Sequence, residues 1–396
     1  MGSLLLARGR ALTVCASVLI AAALAGCTTT ATSSSIAGGT LTIYLSKPSG
    51  PLTRAQQDVI SAEQLALHEI GTTVGKFTIH EVQLSGGKLS DNARSAIGDL
   101  TTIAYIGELV PGTSAQTIGI TNGQDVLQVS PTDTALELTQ TVPQVAGSPG
   151  VYYESLSSNG QTFARVVPND KFEAKALVGE MQSAGVKRLY VKSDGSPYGA
   201  TLAGLITGDA QSAGITIATS SSGADGVMYA GNSATAAAQI LNQAVSSDPS
   251  VKLFAPSALA DDAFAAMLSP GAQRDAYISS PGFTAGDLPA AGQQFVTAFK
   301  NAYGHAPATQ AIFGYEAVAA VLAAMQKAGG SANSRSIVAK DFLALTNHNP
   351  GWPGSAVGSY SIDKTGDITY SGGAPFVFSA IRHGVLVPVK AVQQSG

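Results

Sequence analysis

The chain reads as an α/β protein of two lobes, each a mostly parallel sheet flanked by helices, and three observations predict this. Its 396 residues, 45% hydrophobic and only 12% charged, hold enough apolar material for a core larger than one small domain. Apolar spacings of two and of 3.6 residues alternate along it, the pattern of parallel strands joined by right-handed helical crossovers. The pattern also starts afresh at Val151, as a second lobe should.

Residues 41–45 predict the first strand, ended by Lys47-Pro48-Ser49-Gly50-Pro51. Residues 54–70 predict a helix with Val59, Ala62, Ala66 and Ile70 on one face. A strand over 77–84, a helix over 91–99 and a strand over 101–106 lead into the central stretch, 106–140. There a small-residue turn at 107–112 precedes a helix predicted over 113–123, a strand at 126–129 and a hydroxyl-bearing turn at 130–134. Two strand ends followed by such turns form the crevice of an open α/β sheet, where helix N-termini hold anionic groups. A small carboxylate is the ligand this stretch predicts.

In the second lobe, residues 171–184 predict a helix with Leu177, Val178 and Met181 inward. Strands follow at 188–191, 215–219, 226–229, 251–254 and 276–279, with helices at 198–213, 233–245 and 260–268. Two helices at 288–303 and 310–328, carrying Phe295, Phe299, Phe313, Val318 and Leu322, return the chain to the first lobe. From Ser359 the tail reads as hairpins, with strands at 376–381 and 385–389 around Gly384.

The pieces Ile106-Gly107, Ser130-Pro131, Thr134 and Glu137-Leu138-Thr139-Gln140 carry a resemblance. Ser49-Gly50-Pro51, Leu65-Ala66-Leu67-His68-Glu69-Ile70, the run 163–170, Ser196-Pro197-Tyr198-Gly199 and Gly314-Tyr315-Glu316-Ala317-Val318 extend it in the same order. Together they resemble the branched-chain amino acid binding proteins of bacterial ABC importers, the type I periplasmic binding proteins, over nearly all of the chain after residue 40. The resemblance implies three strands crossing between the lobes at a hinge. It places lobe I at 41–150 and 280–358, and lobe II at 151–279 and 359–396. It further implies capture of a small ligand for an ABC permease, with no cofactor and no catalytic role. A sensor of the same fold, or less readily a cell-envelope enzyme, is the alternative.

Composition narrows the compartment. The formal charge is −4, and without residues 1–26 the chain carries 20 basic against 26 acidic residues, a surface that argues against nucleic acid. Arg8 and Arg10 precede an apolar run over 11–25 that ends in Leu24-Ala25-Gly26-Cys27, the layout of a secretory lipoprotein signal. The run falls short of the roughly 20 residues of a spanning helix. Its likeness to bacterial lipoboxes implies that Cys27 becomes diacylated, an anchor to the outer face of the cell membrane. Residues 27–40, rich in Thr and Ser, would be a flexible tether. Cys15 and Cys27 are the only cysteines, so no pair remains for a disulfide in the mature chain.

Chemistry is sparse. The five histidines are scattered, with no second His or Cys at a metal-ligand spacing, and neither a nucleophile elbow nor a phosphate loop is present. Asp261-Asp262 is the acidic pair of the expected cleft, read as a helix cap and alternatively as the partner of a ligand ammonium. By resemblance, a ligand carboxylate is held by the first turn, at Pro111, and by the second, at Thr132 and Thr134. Proline offers neither a hydroxyl nor an N–H there, so Thr113 and Ser114 would stand in. Tyr198 aligns with an aromatic wall, while Tyr229 and Asn232 follow another strand end. Ser257 stands where the resemblance puts an acid for the ammonium, and Ala55 where it often puts an aromatic ring. The expected ligand is therefore an amino acid, a keto acid, an aromatic acid or an amide.

The lipoprotein reading has a direct test. The protein isolated from membranes should have an intact mass that lacks residues 1–26 and includes acyl chains on Cys27. A chain still starting at Met1, or an unmodified aqueous form, overturns it.

Overall fold

The computed structural model describes residues 35–84, 87–284, 286–346 and 355–394. Cys27, the signal and most of the expected tether lie outside them. The first lobe is built on β1 (Thr40–Ser46), β2 (Thr73–Val74), β3 (Phe77–Leu84), β4 (Thr102–Ile106), β5 (Leu127–Ser130) and β6 (Phe163–Arg165). They form one sheet in the order β2-β3-β1-β4-β5-β6, in which only β2 runs antiparallel to its neighbour. The helices of this part are α1 (Arg54–Ile70), α2 (Leu89–Gly98), α3 (Ile118–Gly123) and the single turn α4 (Leu156–Asn159).

The second lobe alternates α5 (Asp170–Ser183), β7 (Arg188–Ser193), α6 (Pro197–Ser212), β8 (Thr216–Ile217), β9 (Gly226–Ala230), α7 (Ala234–Ser247) and β10 (Lys252–Ala255). Two short helices, α8 (Asp262–Met267) and α9 (Pro270–Asp275), lead into β11 (Ala276–Pro281). The chain then adds α10 (Ala290–Tyr303), α11 (Ala311–Ala328) and α12 (Arg335–Phe342) to the first lobe. A small hairpin, β12 (Tyr360–Ile362) and β13 (Ile368–Tyr370), precedes β14 (Ala374–Arg382) and β15 (Val385–Gln394). The second sheet runs β15-β14-β11-β10-β9-β7-β8, with β14 and β15 as its antiparallel edge.

Local chemistry sets the helix starts. Thr53 and Gln56 cap α1 reciprocally, each side chain bonded to the other's backbone N–H. Ser196 accepts from Gly199 N, and Pro197 begins α6, where its missing N–H costs nothing. Buried nearly all round, α11 is the central helix of the first lobe and lies against α1.

Several expectations change. The helix predicted over 113–123 is a 3₁₀ turn, Thr113–Gln116, followed by α3, with a break at Thr117. The Thr117 hydroxyl donates to Ser114 O and accepts from Gln128 Nε2, side-chain bonding that competes with a continuous helix. The strand predicted over 215–219 shrinks to Thr216–Ile217, and the helix predicted over 260–268 begins at Asp262 after a 3₁₀ turn at Ser257–Leu259. The tether is shorter than expected at its far end. Ile36 is buried in the first lobe's core, and its N–H and carbonyl bond Asn333. The change of sheet comes after Arg165, later in the chain than the boundary drawn at 150, because β6 pairs with β5. Tyr360, Ile362 and Ile368 of the hairpin pack into the first lobe's core, although the resemblance places the tail from 359 in lobe II.

Gly314 makes the crossing of α1 and α11 testable. A Cβ there would lie 2.3 Å from Val59 O, a backbone atom that cannot step aside. Gly-to-Ala in a helix interior ordinarily gains about 0.5–1 kcal/mol. Here overpacking should reverse the sign and cost about 1–3 kcal/mol in urea unfolding. A stabilised Gly314→Ala variant would contradict the close crossing.

Candidate functional site

Each sheet reverses its winding once, and the crevice forms at those two points. In the first sheet β1 lies between β3 and β4, so the loops leaving β1 and β4 diverge. In the second, β7 lies between β8 and β9, and the loops leaving β7 and β9 do the same. Asp194 ties these two loops together, accepting from Ser196 N at 2.9 Å and from Asn232 N at 3.2 Å. The lobes touch across the crevice. Asn232 Nδ2 donates to Pro111 O at 3.1 Å, and Gln310 Nε2 to Ser257 O at 3.4 Å. Gly112, at φ +83°, lies so close to Tyr198 that a Cβ would meet the tyrosine Cβ at 2.7 Å.

Between these contacts lies a cavity of about 60 Å³ with walls from both lobes. Ala55, Gln56, Val59, Leu109, Pro111 and Thr132 line it from the first lobe, and Ser257, Ala258, Ala260 and Asp261 from the second. Ala55, Ala260, Asp261 and Gln310 also border a wider space of about 210 Å³, which reaches Arg54 and Leu386. The small side chain of Ala55 thus lies where the two spaces meet.

The turn after β4 was expected to offer N–H groups to a ligand. It offers them to Asp133. The fully buried Asp133 carboxylate accepts from Gly112 N at 2.7 Å, Ser114 N at 2.8 Å and Ala135 N at 3.1 Å. Burial raises its pKa, opposed by the Arg165 guanidinium and by the Gly112 and Ser114 N–H groups. Arg165 in turn donates to Asp133 O at 3.0 Å and Ala135 O at 2.8 Å, and pairs with Asp367 at 3.1 Å.

The other predicted residues fall in different places. Thr113 donates its hydroxyl to Val110 O, and the Ser114 hydroxyl accepts from Glu108 N. The Thr132 hydroxyl donates to Leu109 O at 2.9 Å. Thr134 and Tyr198 are buried outside the cavity wall, with the Thr134 hydroxyl beside the Asp170 carboxyl. Tyr229 is also buried outside it, whereas Asn232 bridges the lobes. Ser257 faces the cavity, but its N–H and hydroxyl both donate to Glu173, at 2.6 and 2.8 Å. Asp261 caps α8 through Oδ1, which accepts from Ala263 N at 2.7 Å, and its Oδ2 has no partner. Asp262 instead accepts from Leu386 N.

Sequence reasoning missed the buried acids Asp133, Glu137, Asp170 and Glu173. The signal available was Glu173, an acid within the apolar helix face that carries Leu177.

The architecture decides the fold class. The chain has the type I periplasmic binding protein fold. No protein-family model matches it, and no curated protein matches it in sequence. Among solved structures, the leucine-binding protein LivK of Thermotoga maritima superposes with a TM-score of 0.73 at 20% identity, covering 89% of this chain and 99% of that one. An ABC transporter substrate-binding protein of Desulfitobacterium hafniense in complex with Leu gives 0.70 at 20% identity, over 88% and 100% of the two chains. A solute-binding protein from Rhodopseudomonas palustris in complex with benzoate gives 0.66 at 17%, over 90% and 97%.

Within this fold the buried acids give stability a definite pH dependence. Burial pushes Glu108 up to about 7, against hydrogen bonds from the Tyr105 and Ser46 hydroxyls. Burial likewise takes Glu137 to about 7 and Glu316, beneath the Tyr360 hydroxyl, to about 8. The folded state therefore holds these protons more tightly than the unfolded chain. Their contribution is full below the unfolded value of about 4.5 and is lost as pH rises through 7 to 8. The melting midpoint should fall between pH 5 and pH 8, and Glu108→Gln should flatten that fall. A midpoint that rises over this window contradicts the assignment.

Proposed function

We propose that this chain is an extracytoplasmic solute-binding lipoprotein that takes a small organic solute between its lobes and presents it to an ABC permease. The observation that carries the reading is the cavity walled by both lobes and bridged by Asn232 and Gln310. A solute that touches both walls favours the closed arrangement by its differential affinity, which is the physical requirement for capture by hinge closure. Leucine, isoleucine and benzoate are the solutes named for proteins of similar fold. They support the small-solute class. Among the described residues no group of three or more His, Cys, Asp or Glu is arranged to hold a metal ion, and no helix is long and apolar enough to cross a membrane. The sequence around Cys27 supports attachment by lipid.

Binding should be visible as stabilisation and as compaction. A solute at 100 times its dissociation constant adds about 2.7 kcal/mol. At roughly 2–4 °C per kcal/mol for a chain this size, that moves the midpoint by several degrees. The same solute should reduce the radius of gyration in solution scattering. A broad panel of amino acids, carboxylates, amines and amides that changes neither quantity would overturn the reading.

A further inference from the structure

The inner cavity has an uneven supply of hydrogen-bonding groups. Pro111 has no N–H, and its carbonyl is taken by Asn232. Thr132 spends its N–H on Ser130 and its hydroxyl on Leu109 O. Ser257 spends both of its donors on Glu173. Among the described residues the side-chain donors left on the wall are all neutral: the amides of Gln56 and Gln310, the latter already in contact with Ser257 O, and the Thr53 hydroxyl, which accepts from Gln56 N. On the acceptor side, Asp261 is the only charged residue among the described residues lining this cavity, and its Oδ2 is buried without a partner among them. Much of the remaining wall is aliphatic, supplied by Ala55, Val59, Leu109, Val110, Ala258 and Ala260.

The turn beside the cavity adds an independent observation. Its N–H groups, at Gly112 and Ser114, point at a carboxylate, and that carboxylate is Asp133. A buried carboxylate held by three N–H groups and neighboured by Arg165 needs no further partner. A second anion brought to the same turn would meet like charge in a region of low dielectric, which is costly.

Resting on the solute-binding reading, we propose that the solute is an aliphatic amine whose ammonium is held by Asp261, and that it needs no carboxylate because Asp133 fills the turn that would bind one. An ammonium brings hydrogen-bond donors to the unpartnered oxygen and an opposite charge to the one charged group of the cavity. Its alkyl chain covers the aliphatic wall. Arg54 lies at the wider mouth, where its guanidinium faces His305 and Ala306 O, each at 3.4 Å. It is the place at which the carboxylate of an amino acid would compete.

The test uses the folded chain and matched probes at pH 7: alkylamines of three to six carbons including 3-methylbutylamine, leucine, 4-methylpentanoate and its amide. Thermal shift and calorimetry should show the amines binding and the carboxylate not. Asp261→Asn, which keeps the helix cap, should weaken amine binding at least tenfold while leaving the unliganded midpoint unchanged. If leucine or the carboxylate binds more tightly than every amine, or if Asp261→Asn retains amine affinity, the inference falls and the solute-binding reading stands. If neither these probes nor the broad panel moves the midpoint, both fall.

Discussion

Arg165 is the residue on which the geometry of the cleft depends. It is wholly buried at the end of β6, its guanidinium bonded to Asp133 O and Ala135 O and paired with Asp367 of the β12–β13 turn. Removing one member of such a pair leaves an uncompensated buried charge, at a cost of about 3–5 kcal/mol. Its positional effect is as important. By fixing the carbonyls after β5 it orients Asp133 toward Gly112 and Ser114, whose N–H groups are thereby spent within the first lobe.

From that constraint follows an acid-rich interior. Asp133 and Glu137 in the loop after β5, and Asp170 and Glu173 in the first turn of α5, are all buried, and each has its pKa raised by burial. Glu173 accepts from Ser257 N, Ser257 Oγ and Ser279 Oγ. The absence of an acid at position 257 therefore does not leave that wall without one. The carboxyl of Glu173 stands behind the serine and consumes its donors.

Contact between the lobes is made by small features. Gly112 permits its turn to approach Tyr198, and its positive φ is a conformation that a side chain would strain. Asn232 reaches from the second lobe's winding reversal to the first lobe's turn. Each bond is worth only about 1 kcal/mol, so neither holds the two lobes together strongly by itself.

The alternation of apolar spacings by itself determined the α/β architecture and most helix positions, because periodicity along one element is a local property, whereas the change of sheet comes only after Arg165, since β6 pairs with β5. The capping role of Asp261 was legible for the same reason. The cleft was legible only in outline. Thr132, Ser257 and Asp261 do meet at one cavity, but Thr134 and Tyr198 are buried beside it. The pairing of Asp133 with the Gly112 turn spans 21 residues, and that of Glu173 with Ser257 spans 84. Hydrogen bonds between residues so far apart are set by how strands are ordered in a sheet and how two sheets face each other. That is why the tertiary structure alone decided which polar groups were already spent on one another.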